Sequence, residues 1–349
     1  MASGTPDITV RGGGIFGLAI AYQAAKRGAK VQLIERSRIG AGSSGGHVGA
    51  LAPHVPENWN PKKQFQFESL RMAEAFWADV QRIGGGDPGY ARLGRLQPLA
   101  DEAQIARAKD RAAGAAELWQ GFATWRVAEA TEFGAFAPPS PTGLVIHDTL
   151  TARANPRAAG AALVAALKAM GAEIVIGEAE EVGPVIHATG AEGLAELNAV
   201  VGKTIGTGVK GQSALFRYDA GDVPQLFAES LHIIPHSDGT VAIGSTSERE
   251  FDAPATTDAQ LDALIEKARA LCPPLAEAPV IDRWAGVRPR AKSRAPMLGD
   301  WPDCPGHFIA NGGFKIGFGM APKVAEVMVD LVLEGRDTIP EGFRVTDNL

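Results

Sequence analysis

The chain has 349 residues, enough for two domains or one large one. Hydrophobic residues at 45% and charged residues at 21% exclude a disordered chain, and a net charge of −6 argues against a nucleic-acid-binding surface. Two cysteines, Cys272 and Cys304, without CxxC spacing, exclude a disulfide scaffold and a cysteine-held metal cluster; with no apolar run near roughly 18 residues and no leader-like N-terminus, a soluble cytoplasmic protein is expected.

Residues 8–10 read as a strand, 12–17 as a glycine turn and 18–27 as a helix stopped by Gly28; 31–34 form a second strand ending at Glu35. Residues 39–53 are too poor in large side chains for a core element, whereas Phe65, Leu70, Ala73, Phe76, Trp77 and Val80 predict an amphipathic helix over 61–83. A strand is expected at 94–99 and an alanine-rich helix at 102–120, before Pro138, Pro139 and Pro141 mark a boundary. Asn155-Pro156 opens a helix reaching Met170, flanked by strands at 174–176 and 185–186. Strands at 213–217, 231–235 and 240–245 precede a helix at 258–270; a strand at 307–310 and a helix at 321–333 close the chain. The expected class is α/β, or α+β overall. One Rossmann-like domain is built from 1–85, 140–205 and 285–349, and a second, β-rich domain from the insertions 86–139 and 206–284.

Glycine is the outlying residue type, at 42 without a collagen-like period. Gly12-Gly13-Gly14-Ile15-Phe16-Gly17 is GxGxxG between a strand and a helix, where the motif has a mechanism. Gly12 permits the tight turn, Gly14 lets backbone reach a pyrophosphate, and Gly17 allows the helix to pack closely on the strand. The helix N-terminus, at Ile15 and Phe16, offers unpaired N–H groups to the phosphates. Glu35 can accept both ribose hydroxyls, which disfavours a 2′-phosphate, and Arg36 follows it. Arg11, where an apolar residue is usual, points either to solvent or to phosphate. The small-residue loop through Ser43, Ser44, Gly45, His47, Gly49 and Leu51 would let a longer cofactor run along backbone; the alternative is a flexible surface loop.

These motifs, with Ala188-Thr189-Gly190 after a strand, Trp284-Ala285-Gly286-Val287-Arg288-Pro289, and Gly312-Gly313-Phe314-Lys315-Ile316-Gly317, resemble the D-amino acid oxidase superfamily of flavoproteins, nearest glycine and sarcosine oxidases. The resemblance spans nearly the whole chain in order. It implies FAD in the Rossmann-like domain and a substrate domain whose sheet roofs the flavin. The activity implied is oxidation of the C–N bond of a small amino acid or secondary amine to an imine, with O2 or another acceptor taking the electrons. No protein acid or base is required if the amine arrives neutral. Arg288 matches the family's carboxylate-binding arginine and Lys315 a basic position of the sarcosine-oxidising branch; the alternative is that Arg288 opens a solvated basic run with Arg290, Lys292 and Arg294. His232 stands where glycine oxidases carry a substrate-contacting tyrosine, and an ordinary strand histidine is the competing reading. His47 could attach FAD covalently or act as a simple loop histidine. Other readings are a flavin subunit passing electrons to a partner, a tRNA carboxymethylamine-modifying flavin domain, and an NAD-dependent dehydrogenase. Oxidase against dehydrogenase, homo-oligomerisation and adenine-side contacts in 177–185 stay open.

Overall fold

A computed structural model describes residues 5–349. The chain opens with β1 (Ile8–Arg11), α1 (Ile15–Lys26) and β2 (Val31–Glu35), and the two strands pair in parallel with Ile8 opposite Val31. α1 begins at Ile15, three residues earlier than the apolar periodicity suggests, because Gly17 is a packing residue. A Cβ there would lie 1.9 Å from the Gly12 carbonyl oxygen, so only glycine brings the helix this close to the turn. A short β3 (Ala50–Leu51) then leads to α2 (Pro61–Gly84). Asn60 caps α2 by accepting from Lys63 N–H, and Gly85 stops it at φ 73°.

The first insertion carries β4 (Arg95–Pro98), α3 (Glu102–Leu118), β5 (Trp125–Glu129) and β6 (Leu144–Asp148). The chain returns through β7 (Ala152–Arg153), α4 (Pro156–Ala169), β8 (Glu173–Ile176), β9 (Val185–His187) and α5 (Gly190–Val201). The second insertion runs through β10 (Gly206–Arg217), β11 (Gln225–Ala228), β12 (Leu231–Pro235), β13 (Thr240–Gly244), α6 (Ala259–Leu271) and β14 (Val280–Ala291). β15 (Met297–Asp300), β16 (His307–Asn311) and α7 (Gly317–Glu334) complete the fold.

Two large sheets result. One has six strands in the order β15-β16-β9-β1-β2-β8, parallel except for the β15–β16 pair, with the core between it and α1, α2, α4 and α7. The other has eight strands, β14-β10-β13-β12-β11-β4-β6-β5, backed by α6 through Phe216, Leu261 and Ile265. It reaches beyond the boundaries expected at 140 and 285, since β6 and the whole of β14 pair within it.

β10 is longer than expected. Its first half, rich in glycine, has poor strand propensity, yet it pairs residue by residue with β14 from Gly206 opposite Ala291. The glycines are occupied by the neighbouring strand: a Cβ at Gly208 would lie 2.6 Å from Val287 Cγ1, and one at Gly211 would lie 2.5 Å from the Arg288 guanidinium carbon. α7 also starts before the expected 321, taking Gly317 and Gly319 into its first turns, and α5 was hidden by its opening glycines.

Candidate active site

A cavity of about 1090 Å³ lies along the C-terminal ends of β1, β2 and β9 and beneath β10, β13 and β14, the usual crevice of an open α/β sheet. At one end its wall is largely backbone. α1 starts with no side-chain cap and no acidic residue in its first turn, so its N–H groups and positive dipole end face the cavity. The Ser44 hydroxyl alone is set against them, accepting from Ile15 N–H at 2.9 Å.

Glu35 closes this end. Its carboxylate accepts from Gly13 N–H at 2.6 Å and Ser37 N–H at 2.9 Å, which fixes the side chain and leaves lone pairs for further donors. Arg11 is held by Glu181 at 2.5 Å and Glu178 at 3.3 Å, so the short 177–185 connection serves to bind this arginine. Arg36 and Glu192, both exposed and both lining the cavity, form an ion pair joining the end of β2 to α5. His187 meets His307 at 2.9 Å with Trp301 edge-on, and burial pushes its pKa down to about 4.

The other end is built from side chains on distant segments. Residues of β10 alternate: Val209, Gly211 and Ser213 share one face, while Lys210, Gln212 and Ala214 share the other. On the first face the Arg288 guanidinium lies over Gly211 and donates to Ser245 Oγ, to the Thr246 carbonyl at 2.7 Å and to the Lys210 carbonyl at 3.1 Å. Its Nε has no partner among the described residues. Arg288 is 8% exposed, and burial pushes its pKa down to about 10.

The Phe314 ring gathers three cations, with Arg288 at 5.4 Å and Arg290 and Lys315 both at 5.8 Å from its centroid. Lys315 opens onto the cavity. Its pKa is lowered by the protein packed around it and then by Arg288, and among the described residues neither cation has a carboxylate in ion-pair range. His232, half-buried, is pushed down to about 3 by burial first and then by Arg95 and Lys315, so it stands neutral with its Nδ1 unpartnered. α7 begins just past Lys315, again without a side-chain cap or an acidic residue in its first turn.

His47 sits between these ends, buried. Its Nδ1 is 3.1 Å from Ser213 Oγ, its Nε2 is 3.1 Å from Asp282 Oδ2, and its carbonyl accepts from His236 Nε2. Both ring nitrogens therefore have protein partners. Burial lowers its pKa, against the raising effect of Asp282.

Of the residues singled out in the sequence, Gly12, Gly14, Ile15, Phe16, Glu35, Arg36, Ser43, Ser44, His47, Ala188, Thr189, Gly190, His232, Gly286, Arg288, Gly313, Phe314 and Lys315 line this one cavity. Gly17, Gly45, Gly49, Leu51, Gly312 and Ile316 stand behind it, and the reason is packing. A Cβ at Gly45 would lie 2.2 Å from the Gly40 carbonyl oxygen and one at Gly49 2.0 Å from that of Ala154, while Leu51 is wholly buried in the core. Gly312 packs on Ala291, and Ile316 is the residue before α7. Sequence reading missed Ser213, Phe227, Ser245, Phe251 and Trp301. Gly211, which makes room for Arg288, lies outside the strand expected at 213–217 and so carried no local signal.

The family model described as "FAD dependent oxidoreductase" (DAO) matches residues 7–331. The chain is 26% identical to the bifunctional protein ThiO/ThiG of Nostoc over 95% of its own length but spans 53%, about half, of that relative. It is 25% identical to a glycine oxidase of Geobacillus kaustophilus, covering 93% of this chain and 92% of that one. In fold it is similar to the crystal structure of glycine oxidase from Geobacillus kaustophilus (TM-score 0.83, 22% identity, 97% and 98% of the two chains). It is also similar to iminodiacetate oxidase from Chelativorans (TM-score 0.84, 22% identity, 97% and 98%). The residues present fit an FAD: the elongated cavity has two uncapped helix N-termini along it, a fixed carboxylate at one end, and at Gly14 a place where a Cβ would meet only Ser44 Oγ within 4 Å.

Proposed function

The chain belongs to the DAO family of FAD-dependent oxidoreductases, and on that premise we propose that it oxidises the C–N bond of a small amine bearing a carboxylate, of the glycine, sarcosine or D-amino-acid type, to an imine. Bound FAD supplies a two-electron acceptor for the substrate's hydride. The NAD alternative falls with the family. The chain's own work is to hold the substrate's C–H roughly 3 to 3.5 Å from the accepting atom.

One observation carries the substrate class. Arg288 and Lys315 flank Phe314 on the cavity wall with no carboxylate in ion-pair range among the described residues, and the charge of Glu248 offsets the burial of Arg288 only in part. A buried cation with no carboxylate beside it is costly, which is the position of Arg288, while Lys315 is exposed to the cavity and adds a second positive charge there. A substrate carboxylate relieves it, Arg288 offering planar donors and Lys315 a point charge, with hydrogen bonds to charged groups contributing about 1.5 to 3 kcal/mol each. His232, neutral and with a free Nδ1, is suited to a hydrogen bond with the amine or its substituent. The six-stranded sheet with its helices forms the cofactor-binding unit and the eight-stranded sheet the substrate unit. The names of glycine oxidase and iminodiacetate oxidase, both acting on carboxylated amines, support the same class.

Mixing the FAD-loaded protein anaerobically with glycine, sarcosine, D-alanine and D-proline tests this. Bleaching of the flavin band by at least one is expected, with reoxidation by O2 or an artificial acceptor. No bleaching by any carboxylated amine contradicts the reading.

A further inference from the structure

Oxidation of an amine by hydride removal needs the nitrogen lone pair, and an amino acid brings an ammonium at neutral pH. A proton has to go somewhere before the C–H can. Within the cavity one chain of groups is built for that: Ser213 Oγ, 1% exposed, to His47 Nδ1 at 3.1 Å, then His47 Nε2 to Asp282 Oδ2 at 3.1 Å. Asp282 has 39% of its side chain exposed and is paired with Arg157 at 2.7 Å, so the chain runs from the cavity to solvent.

Its inner end stands beside the carboxylate site. Gly211 and Ser213 are two residues apart on one strand and face the same side, a separation of roughly 7 Å. The first carries the Arg288 guanidinium and the second holds His47. Gly244, the strand partner of Ser213, is followed by Ser245, which also binds Arg288. A carboxylate, one carbon and an amine, with hydrogen bonds of about 3 Å at each end, spans that gap.

We propose that His47 is the proton acceptor of the site, taking the substrate's ammonium proton through Ser213 and holding it against Asp282. In the resting site Ser213 O–H donates to Nδ1, and Nε2–H donates to Asp282. The protonated amine gives one N–H proton to Ser213 Oγ, whose own proton moves to Nδ1; the imidazolium so formed faces the Asp282 carboxylate. The neutral amine then loses the hydrogen of its α C–H bond, with both electrons, to the cofactor. Its nitrogen lone pair closes the C=N double bond, and the product leaves as the iminium cation. When dioxygen or another two-electron, two-proton acceptor is reduced, the imidazolium returns its proton, and the balance closes.

The charged and titratable groups facing His47 are Asp282 on β14, Arg157 on α4 and His236 beyond β12. Burial keeps the ring neutral at rest, free to accept, while Asp282 stabilises the charged form and Arg157 opposes it. A histidine that merely pinned the 43–50 loop to the large sheet would need no exposed acid behind it.

This inference rests on the amine-oxidising reading, and its test separates the two. ¹⁵N-histidine NMR of the FAD-loaded protein, which has seven histidines, is expected to give His47 as the Nε2–H tautomer at neutral pH, and Asp282→Asn is expected to lower its pKa. In anaerobic stopped flow the wild type should show a reduction rate rising with pH. His47→Gln should lose that limb and, with an unchanged melting temperature, react on the order of 10²-fold more slowly at neutral pH. Should His47→Gln not fold, Asp282→Asn carries the test, shifting the limb to lower pH. An Nδ1–H tautomer, or variants that melt lower but keep the wild-type limb, overturns the relay while leaving amine oxidation standing. A wild type that no amine reduces overturns both.

Discussion

The two ends of the cavity recognise their ligands by different means. The end at Gly12, Gly14 and Glu35 is made by one short strand-turn-helix segment, with a helix dipole and backbone N–H groups that only the Ser44 hydroxyl and the Glu35 carboxylate approach. The end at Arg288, Lys315, His232 and Ser213 has no such local origin. It exists because β10 and β14 pair in one register, because Gly211 leaves room for a guanidinium, and because the loop before α7 folds back against β14, with Phe314 N–H donating to the Pro289 carbonyl. Backbone recognition tolerates change in side chains and fails at the glycines. Side-chain recognition fails one residue at a time.

That contrast sets the order of expected effects. Gly17→Ala should be the most damaging change at the first end, since its Cβ would meet a carbonyl oxygen at 1.9 Å. A loss of more than about 3 kcal/mol is expected, read as a large drop in melting temperature or in soluble yield. Gly14→Ala, three residues away, should leave the fold intact because its φ of −84° suits alanine and its Cβ would meet only the Ser44 hydroxyl oxygen, at 3.2 Å, a side-chain atom that can give way. It should weaken FAD by about 2 kcal/mol, roughly 30-fold, as measured by flavin fluorescence on dilution. Equal melting losses for the two variants would break the distinction between packing and binding glycines.

At the second end Gly211→Ala should displace the Arg288 guanidinium. The expected rise in KM for a carboxylated amine is roughly tenfold, about 1.4 kcal/mol, with FAD affinity and melting temperature nearly unchanged. A loss of FAD instead would mean that the two ends are not separable. The smallest effect belongs to Arg36→Ala. Its pair with Glu192 is exposed at both partners, so FAD dissociation should quicken by less than about fivefold, and the difference should vanish at high salt.

The same contrast explains what the sequence disclosed. The turn at 12–17, Glu35 and two of the helices were legible because their causes are local: glycines between a strand and a helix, the apolar periodicity over 61–83, and Asn155-Pro156. Arg288 and Lys315 were legible only through a resemblance, since nothing in their neighbourhood says that they meet at Phe314. Ser213 and Ser245 were not legible, because the face a strand residue shows depends on a register fixed by long-range pairing. The first half of β10 was lost for the same reason: its glycines look like loop until the side chains that fill their places are seen.

The central claim is that the cationic end selects a carboxylated amine. The most direct test measures flavin reduction by sarcosine and by dimethylamine, the same amine without a carboxylate, in the wild type and in Arg288→Ala. Half-saturation for sarcosine should rise on the order of 10²-fold in the variant, about 3 kcal/mol, while dimethylamine, poor with both proteins, should change little. Equal changes for the two amines would contradict the account.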